Sequence, residues 1–489
     1  SARQEPRPPF PNTLAPCEDV REGNFWKALL SPNQHLPTKR LSGDRIEASE
    51  LGTTFAEVKG KMRLLHFSDA HLGAEIHGRR DTDGRHTHVK DFLNCLDFII
   101  KVAVEKQVDA VLFTGDAYHS PRPDPLSQRE FLRRLLSLTE RGISVLLLMG
   151  NHDLPIGYGE AAALDIVNLL KIPGLQFVRE PKVVTLPTLK GNLHIACFPY
   201  LPRRFFVSLE EEQGWTEERV QGEMRRRVSD LVTRLQRESQ QRNDGSPIVF
   251  AGHLWVEGVE FVGSERVFSL TYEPIVAPST LRRDPFAYIA LGHIHRHQFV
   301  GDRDFGVPIA YAGNIGRLSF DEEHDPKGFL LVDLERTTKG VWGVKDLRFV
   351  ETPTRRFVTV RLNLCQASDP TQYALNALAQ NRDLDGAVVR VFLTINEEQR
   401  GQLNLATIRS ALEKRVDHLA ALSFEVATDD NAPMPLLADP SRPSELEQLL
   451  QRPIELLARW LAQKGNLDQQ RRERLLRLAM ELMQEQESG

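Results

Sequence analysis

Met62-Arg63-Leu64-Leu65-His66-Phe67-Ser68-Asp69-Ala70-His71-Leu72-Gly73 is the stretch on which the fold turns. Its first half is a short, nearly continuous apolar run, as expected of a strand covered on both faces in a layered α/β protein. Its second half breaks into Asp-x-His and a glycine. On extended backbone, residues two apart point the same way, so Asp69 and His71 are placed to grip one ion at the strand's end.

The same grammar recurs downstream. Ala110-Val111-Leu112-Phe113, Ser144-Val145-Leu146-Leu147-Leu148, Pro247-Ile248-Val249-Phe250 and Tyr288-Ile289-Ala290-Leu291 are apolar runs, and each leads into a polar turn containing glycine. Those turns are Gly115-Asp116, Gly150-Asn151-His152-Asp153, Gly252-His253 and Gly292-His293-Ile294-His295. Helical segments such as Asp91–Lys106 separate the strands. Open α/β sheets build their sites at the carboxyl ends of strands, where these turns fall. Asp, Asn and His are donors that suit manganese, iron or zinc, and a carboxylate between two cations can bridge them. The glycines before Asp116, Asn151, His253 and His293 are expected to let the backbone turn tightly. Singly, each cluster has a bland reading: a helix cap at Asp116, a turn at Asn151, surface polarity for His-x-His. Five in order, each at a strand end, point to a metal centre.

This ordered set resembles the calcineurin-like metallophosphoesterase superfamily over most of residues 62–320. The resemblance implies a layered β-sandwich flanked by helices and a site for two divalent ions. One ion would be held by Asp69, His71, Asp116 and His295, the other by Asp116, Asn151, His253 and His293. The implied reaction is in-line attack of activated water on a phosphorus that both ions polarise. His152 would stand beside the leaving oxygen as general acid or transition-state stabiliser, with Asp153 orienting it.

Within that superfamily, phosphoprotein phosphatases carry Gly-Asp-x-x-Asp-Arg-Gly and Gly-Asn-His-Glu. Here the corresponding blocks read Gly115-Asp116-Ala117-Tyr118-His119-Ser120-Pro121-Arg122-Pro123 and Gly150-Asn151-His152-Asp153. The stretch 62–73 looks like the start of SbcD-type nucleases, the bacterial counterparts of the nuclease that pairs with a coiled-coil ABC-type ATPase in double-strand break repair. His119-Ser120-x-Arg122-Pro123 is closer to the archaeal and eukaryotic branch, and the resemblance gives His119 a role in placing DNA. Tyr311-Ala312-Gly313-Asn314-Ile315-Gly316-Arg317 resembles a further family segment, read as structural first, with a phosphate contact from Arg317 as the second reading. The resemblance therefore implies a DNA exonuclease and endonuclease, two ions that family habit makes Mn2+, a homodimer and an SbcC-like ATPase partner. The alternative is a phosphodiesterase acting on nucleotides or other small diesters. A scaffold with a vestigial site is a third reading, against which the complete set of donor types argues.

The 489 residues suggest several domains. Residues 1–61, rich in proline and polar residues, read as an extension, an alternative start or an expression remnant. The nuclease domain is expected over 62–345 and a small β-α-β-α-β capping domain over 355–429. A linker at 430–443 then leads to a helical pair within 444–489, whose apolar stripe either docks on the ATPase, packs on its own chain or dimerises. A formal charge of −5 and a pI near 6.3 give no overall basic field. Arg79, Arg80, Arg203, Arg204, Arg225, Arg226 and Arg227 either neutralise phosphates or line solvated helix faces. Cys17, Cys95, Cys197 and Cys365 are scattered, which argues against a disulfide scaffold or zinc ribbon and fits a reducing cytoplasm. No apolar run reaches the roughly 18 residues of a membrane helix, and no secretory signal is apparent.

Overall fold

The structure is a computed structural model that describes residues 60–427, apart from 156–159, 243, 262–272, 283, 302–305 and 339. The expected extension (save Gly60 and Lys61, the latter opening the first strand), linker and C-terminal helical pair lie outside the described residues.

The first strands are β1 (Lys61–Phe67), β2 (Ala110–Phe113), β3 (Ser144–Leu148) and β4 (Leu175–Val178), each parallel to the next. The chain then crosses to a second sheet through β5 (Lys182–Thr188), β6 (Gly191–Phe198) and β7 (Ile248–His253). A small two-stranded pair, β8 (Trp255–Val256) and β9 (Ile275–Val276), precedes β10 (Ile289–Gly292), β11 (Gln298–Phe299) and β12 (Ile309–Tyr311). Finally β13 (Gly328–Arg336) and β14 (Trp342–Glu351) return to the first sheet, β13 pairing antiparallel with β1. The strand orders are β14-β13-β1-β2-β3-β4 and β11-β12-β10-β7-β6-β5.

The continuous apolar runs follow from burial of both faces. Leu64, Leu112, Leu146 and Leu148 meet Ile195, Val249, Ala251 and Ala290 in a core between the sheets. The alternate residues Leu65, Phe67, Val111, Phe113, Val145 and Leu147 face outward into a second core, shared with buried residues of helices Thr87–Glu105 and Pro125–Thr139. Phe250, Ile289 and Leu291 face the long helix Glu217–Gln240 on the other side, through Val220, Met224, Val228 and Val232. The result is the helix-flanked β-sandwich that the resemblance implies.

The sandwich extends past residue 345, because β14 pairs with β13 as far as Glu351. Beyond it, β15 (Phe357–Asn363), β16 (Val388–Ile395) and β17 (His418–Val426) form a three-stranded parallel sheet, with crossover helices Pro370–Gln380 and Leu405–Glu413. This small unit has its own core around Val389, Val391, Leu393, Ile408 and Leu412. The guanidinium of Arg355 ties it to the sandwich, donating to both oxygens of Asp91 at 2.6 Å and standing 3.3 Å from Asp417. Among the described residues Cys95, Cys197 and Cys365 are free thiols, and no helix is long and apolar enough to cross a membrane.

Candidate metal centre

Asp69 follows β1, Asp116 follows β2, Asn151 follows β3, His253 closes β7 and His293 follows β10. Carboxyl ends of parallel strands from both sheets thus converge on one point. Asp69, His71, Asp116, His253, His293 and His295 are buried there, and Asn151 is half-buried. The local backbone is unusual. Of six non-glycine residues at positive φ among the described residues, four are Asp69 (52°), His71 (40°), Asp116 (59°) and His293 (94°). Such conformations cost on the order of 1–3 kcal/mol each and concentrate where side chains must be aimed. Backbone bonds from Asp69 N to the Gly115 carbonyl (2.9 Å) and from His71 N to the Asp116 carbonyl (3.1 Å) lock the two turns together.

The glycines act differently from the expectation. Only Gly115 has a positive φ, at 109°. Gly150, Gly252 and Gly292 are needed for clearance: a Cβ at Gly150 would fall on the Asp116 carboxylate, and one at Gly292 on Ser68 Oγ and the Thr114 carbonyl. A Cβ at Gly252 would press on the Phe250 ring.

Donor atoms of Asp69, His71 and His295 lie within 4.8 Å of one another, as do those of Asp69, Asp116 and His253. Asp116 Oδ2 stands between the halves, 3.7 Å from His71 Nε2 and 3.6 Å from His253 Nε2. Asn151 Oδ1 is 2.9 Å from His253 Nε2 and 3.1 Å from His293 Nδ1. The structure therefore brings all seven expected ligands into one cluster.

Proton positions test whether cations fit. His253 donates from Nδ1 to the Thr114 carbonyl (2.7 Å), which leaves the Nε2 lone pair aimed at the Asn151 oxygen. His295 donates from Nδ1 to Glu322 (3.0 Å), which leaves its Nε2 lone pair facing His71 Nε2 at 3.0 Å. Electron pairs thus converge on two points, either side of Asp116, an arrangement that a cation at each point satisfies. The electrostatics agree. Burial, then the neighbouring Asp69 and Asp153, raises the Asp116 carboxyl well above its usual range, and burial raises Asp69. Burial, then neighbouring histidines, lowers His71 and His253. Divalent charge reverses this pressure on the acids and takes histidine in its neutral form. The donor set fits two divalent cations of the manganese, iron or zinc type.

His152 and His119 stand at the rim. Nitrogens of His71, His119 and His152 lie within 4.8 Å of one another. The His119 and His152 rings stack at 5.6 Å and 24°, and His152 Nδ1 donates to the His119 carbonyl (3.0 Å). Asp153 does not orient His152. Its carboxylate accepts from Gly150 N (3.0 Å), Ala117 N (3.1 Å) and Tyr118 N (3.2 Å), stapling the β3 turn to the β2 turn. The sequence offers no way to see this, because an acid next to a histidine along the chain need not face it.

Two acceptors that hold the histidines lie outside the sequence motifs, the Thr114 carbonyl and Glu322, and a third group outside them, the Glu273 carboxylate, stands in ion-pair contact with His293. Glu322 is fully buried; it accepts from His295, Asn314 Nδ2 and Leu318 N (2.8 Å) and pairs with buried Lys327 (3.4 Å). Burial pushes its carboxyl up, but Lys327 and His295 outweigh that and hold it at about 2. In the sequence it sits in Asp321-Glu322-Glu323, an acidic run that reads as surface. Glu273 Oε2 stands 2.7 Å from His293 Nε2. The phosphate reading of Arg317 falls away, because its guanidinium donates to the carbonyls of Glu322, Arg355 and Asp325. Arg80, Arg203, Arg226 and Arg227 are likewise paired with carboxylates rather than held open for phosphates.

A family model described as calcineurin-like phosphoesterase matches residues 62–297. Among curated proteins the chain is similar to the SbcD subunit of the SbcCD nuclease of Bacillus subtilis (strain 168), 28% identical over 287 residues, covering 58% of this chain and 68% of that protein. It is similar also to DNA double-strand break repair protein Mre11 of Aeropyrum pernix, 30% identical over 285 residues, covering 56% of this chain and 58% of that protein. The chain thus spans about 58 to 68% of the length of these two relatives. Among solved structures, the calcineurin-like phosphoesterase YfkN from Bacillus subtilis matches at 13% identity and a TM-score of 0.35, covering 60% of this chain and 91% of that one.

Proposed function

We propose, from the match of residues 62–297 to the calcineurin-like phosphoesterase family, that this protein is a two-metal nuclease that hydrolyses phosphodiester bonds in DNA. The observation that carries the reading is the pair of lone-pair foci on either side of Asp116 in one buried cluster. Asp69, His71, Asp116 and His295 would hold one ion, and Asp116, Asn151, His253 and His293 the other. Bound there, two divalent cations polarise a phosphoester and acidify water.

The remaining work falls to the chain itself. The Thr114 carbonyl and Glu322 fix the tautomers of His253 and His295. His152, its Nδ1–H committed to the His119 carbonyl, keeps Nε2 for proton transfer at the leaving oxygen. His119, stacked on His152, sets where a DNA strand lies against that nitrogen. Asp153 keeps both turns in register.

DNA as the substrate is supported by the His119-Ser120-x-Arg122-Pro123 run and by relatives named as a nuclease component and a DNA break repair protein. Manganese, a homodimer and an ABC-type ATPase docked on residues 444–489 complete the proposal. A small-diester phosphodiesterase is the second reading, favoured by the net charge of −5 and by arginines tied to carboxylates. Parallel assays on duplex DNA and on bis(p-nitrophenyl) phosphate, for the intact protein and for His119→Ala, separate the two. The nuclease reading expects cleavage of both substrates, with the substitution costing roughly 10² on DNA, the scale of a misplaced substrate, and little on the small diester. Equal losses on both, or no cutting of DNA at all, would favour the second reading.

A further inference from the structure

Two histidines two residues apart in the Gly292-His293-Ile294-His295 turn meet carboxylates with opposite ring nitrogens. His295 is held at Nδ1 by Glu322 and presents Nε2. His293 faces the Glu273 carboxylate with Nε2, at an ion-pair distance of 2.7 Å, and turns Nδ1 towards Asn151 Oδ1 at 3.1 Å. The backbone makes this reversal possible. His293 sits at φ 94°, with its N–H on the Asp69 carboxylate at 3.2 Å, so its ring enters the cluster from a different direction.

We propose that Glu273 is a positioning residue for the second ion, holding His293 in the tautomer and ring orientation that offer Nδ1 to the same point as Asn151. The inference rests on the metal-centre reading above and adds to it a residue outside the ligand motifs. Glu273 is only 9% exposed, and burial, then the Glu273 charge, raises the nearby Tyr200 hydroxyl above its usual range. The Tyr200 ring lies 6.2 Å from that of His253 and 6.3 Å from that of His293, so the carboxylate is seated among the second ion's own residues. A carboxylate behind a histidine ligand fixes the ring and raises its basicity, and losing such a partner weakens metal binding by about 10–100-fold. Glu322 serves the first site from the short 3-10 helix Phe320–Glu322 ahead of β13, and Glu273 the second from just before β9. The two affinities are therefore set by separate residues.

The test is titration of the metal-free, full-length protein with Mn2+, following free Mn2+ by its paramagnetic resonance signal. The intact protein should take up two ions. Glu273→Ala should weaken one of them by about 10–100-fold and leave the other ion's affinity and the metal-free melting temperature unchanged. Glu273→Gln, which keeps the shape and a polar oxygen beside Nε2 but loses the charge, should fall between. Identical binding in the alanine variant would overturn the inference while leaving the metal centre standing. So would equal weakening of both ions with a lowered melting temperature, which would mark a structural role. Loss in the glutamine variant as complete as in the alanine one would make Glu273 a ligand instead. No uptake by the intact protein would overturn the metal-centre reading and this inference with it.

Discussion

At the scale of single residues, the ligands announce themselves and their supports do not. Asp69, His71, Asp116, Asn151, His253, His293 and His295 stand at strand ends in a pattern of donor types that one ion chemistry explains, and the structure gathers them into one cluster. Glu322 and Glu273 lie away from their partners along the chain and look like surface acids, so only tertiary structure reveals them. Asp153 shows the converse error: adjacency in sequence suggested a partner, and three backbone N–H groups claimed the carboxylate instead. Gly150 offers a sharp check. Alanine there is allowed by the backbone but would place its Cβ on the Asp116 carboxylate. Gly150→Ala should therefore cost about 1–3 kcal/mol by overpacking and displace the bridging acid, lowering Mn2+ affinity. Chemical denaturation and Mn2+ titration of the variant would measure both, and unchanged values in both would refute the clearance argument.

At the scale of elements, continuous apolar runs located β2 and β3 to the residue, because parallel strands covered on two faces leave no polar alternation. The antiparallel partners were harder to see. β13 joins β1 across more than half of the sandwich domain's sequence, and no local pattern specifies that pairing. The half-exposed β14 carries the domain past residue 345 for the same reason. Two-sided burial makes a quantitative claim. Leu146 faces the second sheet and Leu147 the helices, and both are fully buried. Leu146→Ala and Leu147→Ala should each destabilise the fold by about 2–5 kcal/mol in urea unfolding. A near-zero cost for either would mean that one face of β3 is wet.

At the scale of the whole molecule, the function depends on two sheets packed face to face, since neither holds a complete ligand set: Asp69, Asp116 and Asn151 follow strands of one, while His253 closes and His293 follows strands of the other. This convergence was legible only as an ordered list of turns, and its geometry required the fold. The net charge of −5 and the arginines spent on carboxylates favour the small-diester reading, but a pair of divalent ions would dominate the local field at the site itself. The central claim is that this convergence makes a metal-dependent phosphodiesterase of DNA. The most direct test is cutting of end-labelled linear duplex DNA with Mn2+ and with EDTA, for the intact protein and for Asp116→Ala. The account predicts cleavage that requires Mn2+ and is lost in the variant, which removes the carboxylate standing between the two foci. Cleavage that persists in EDTA, or in Asp116→Ala with Mn2+ present, would contradict it.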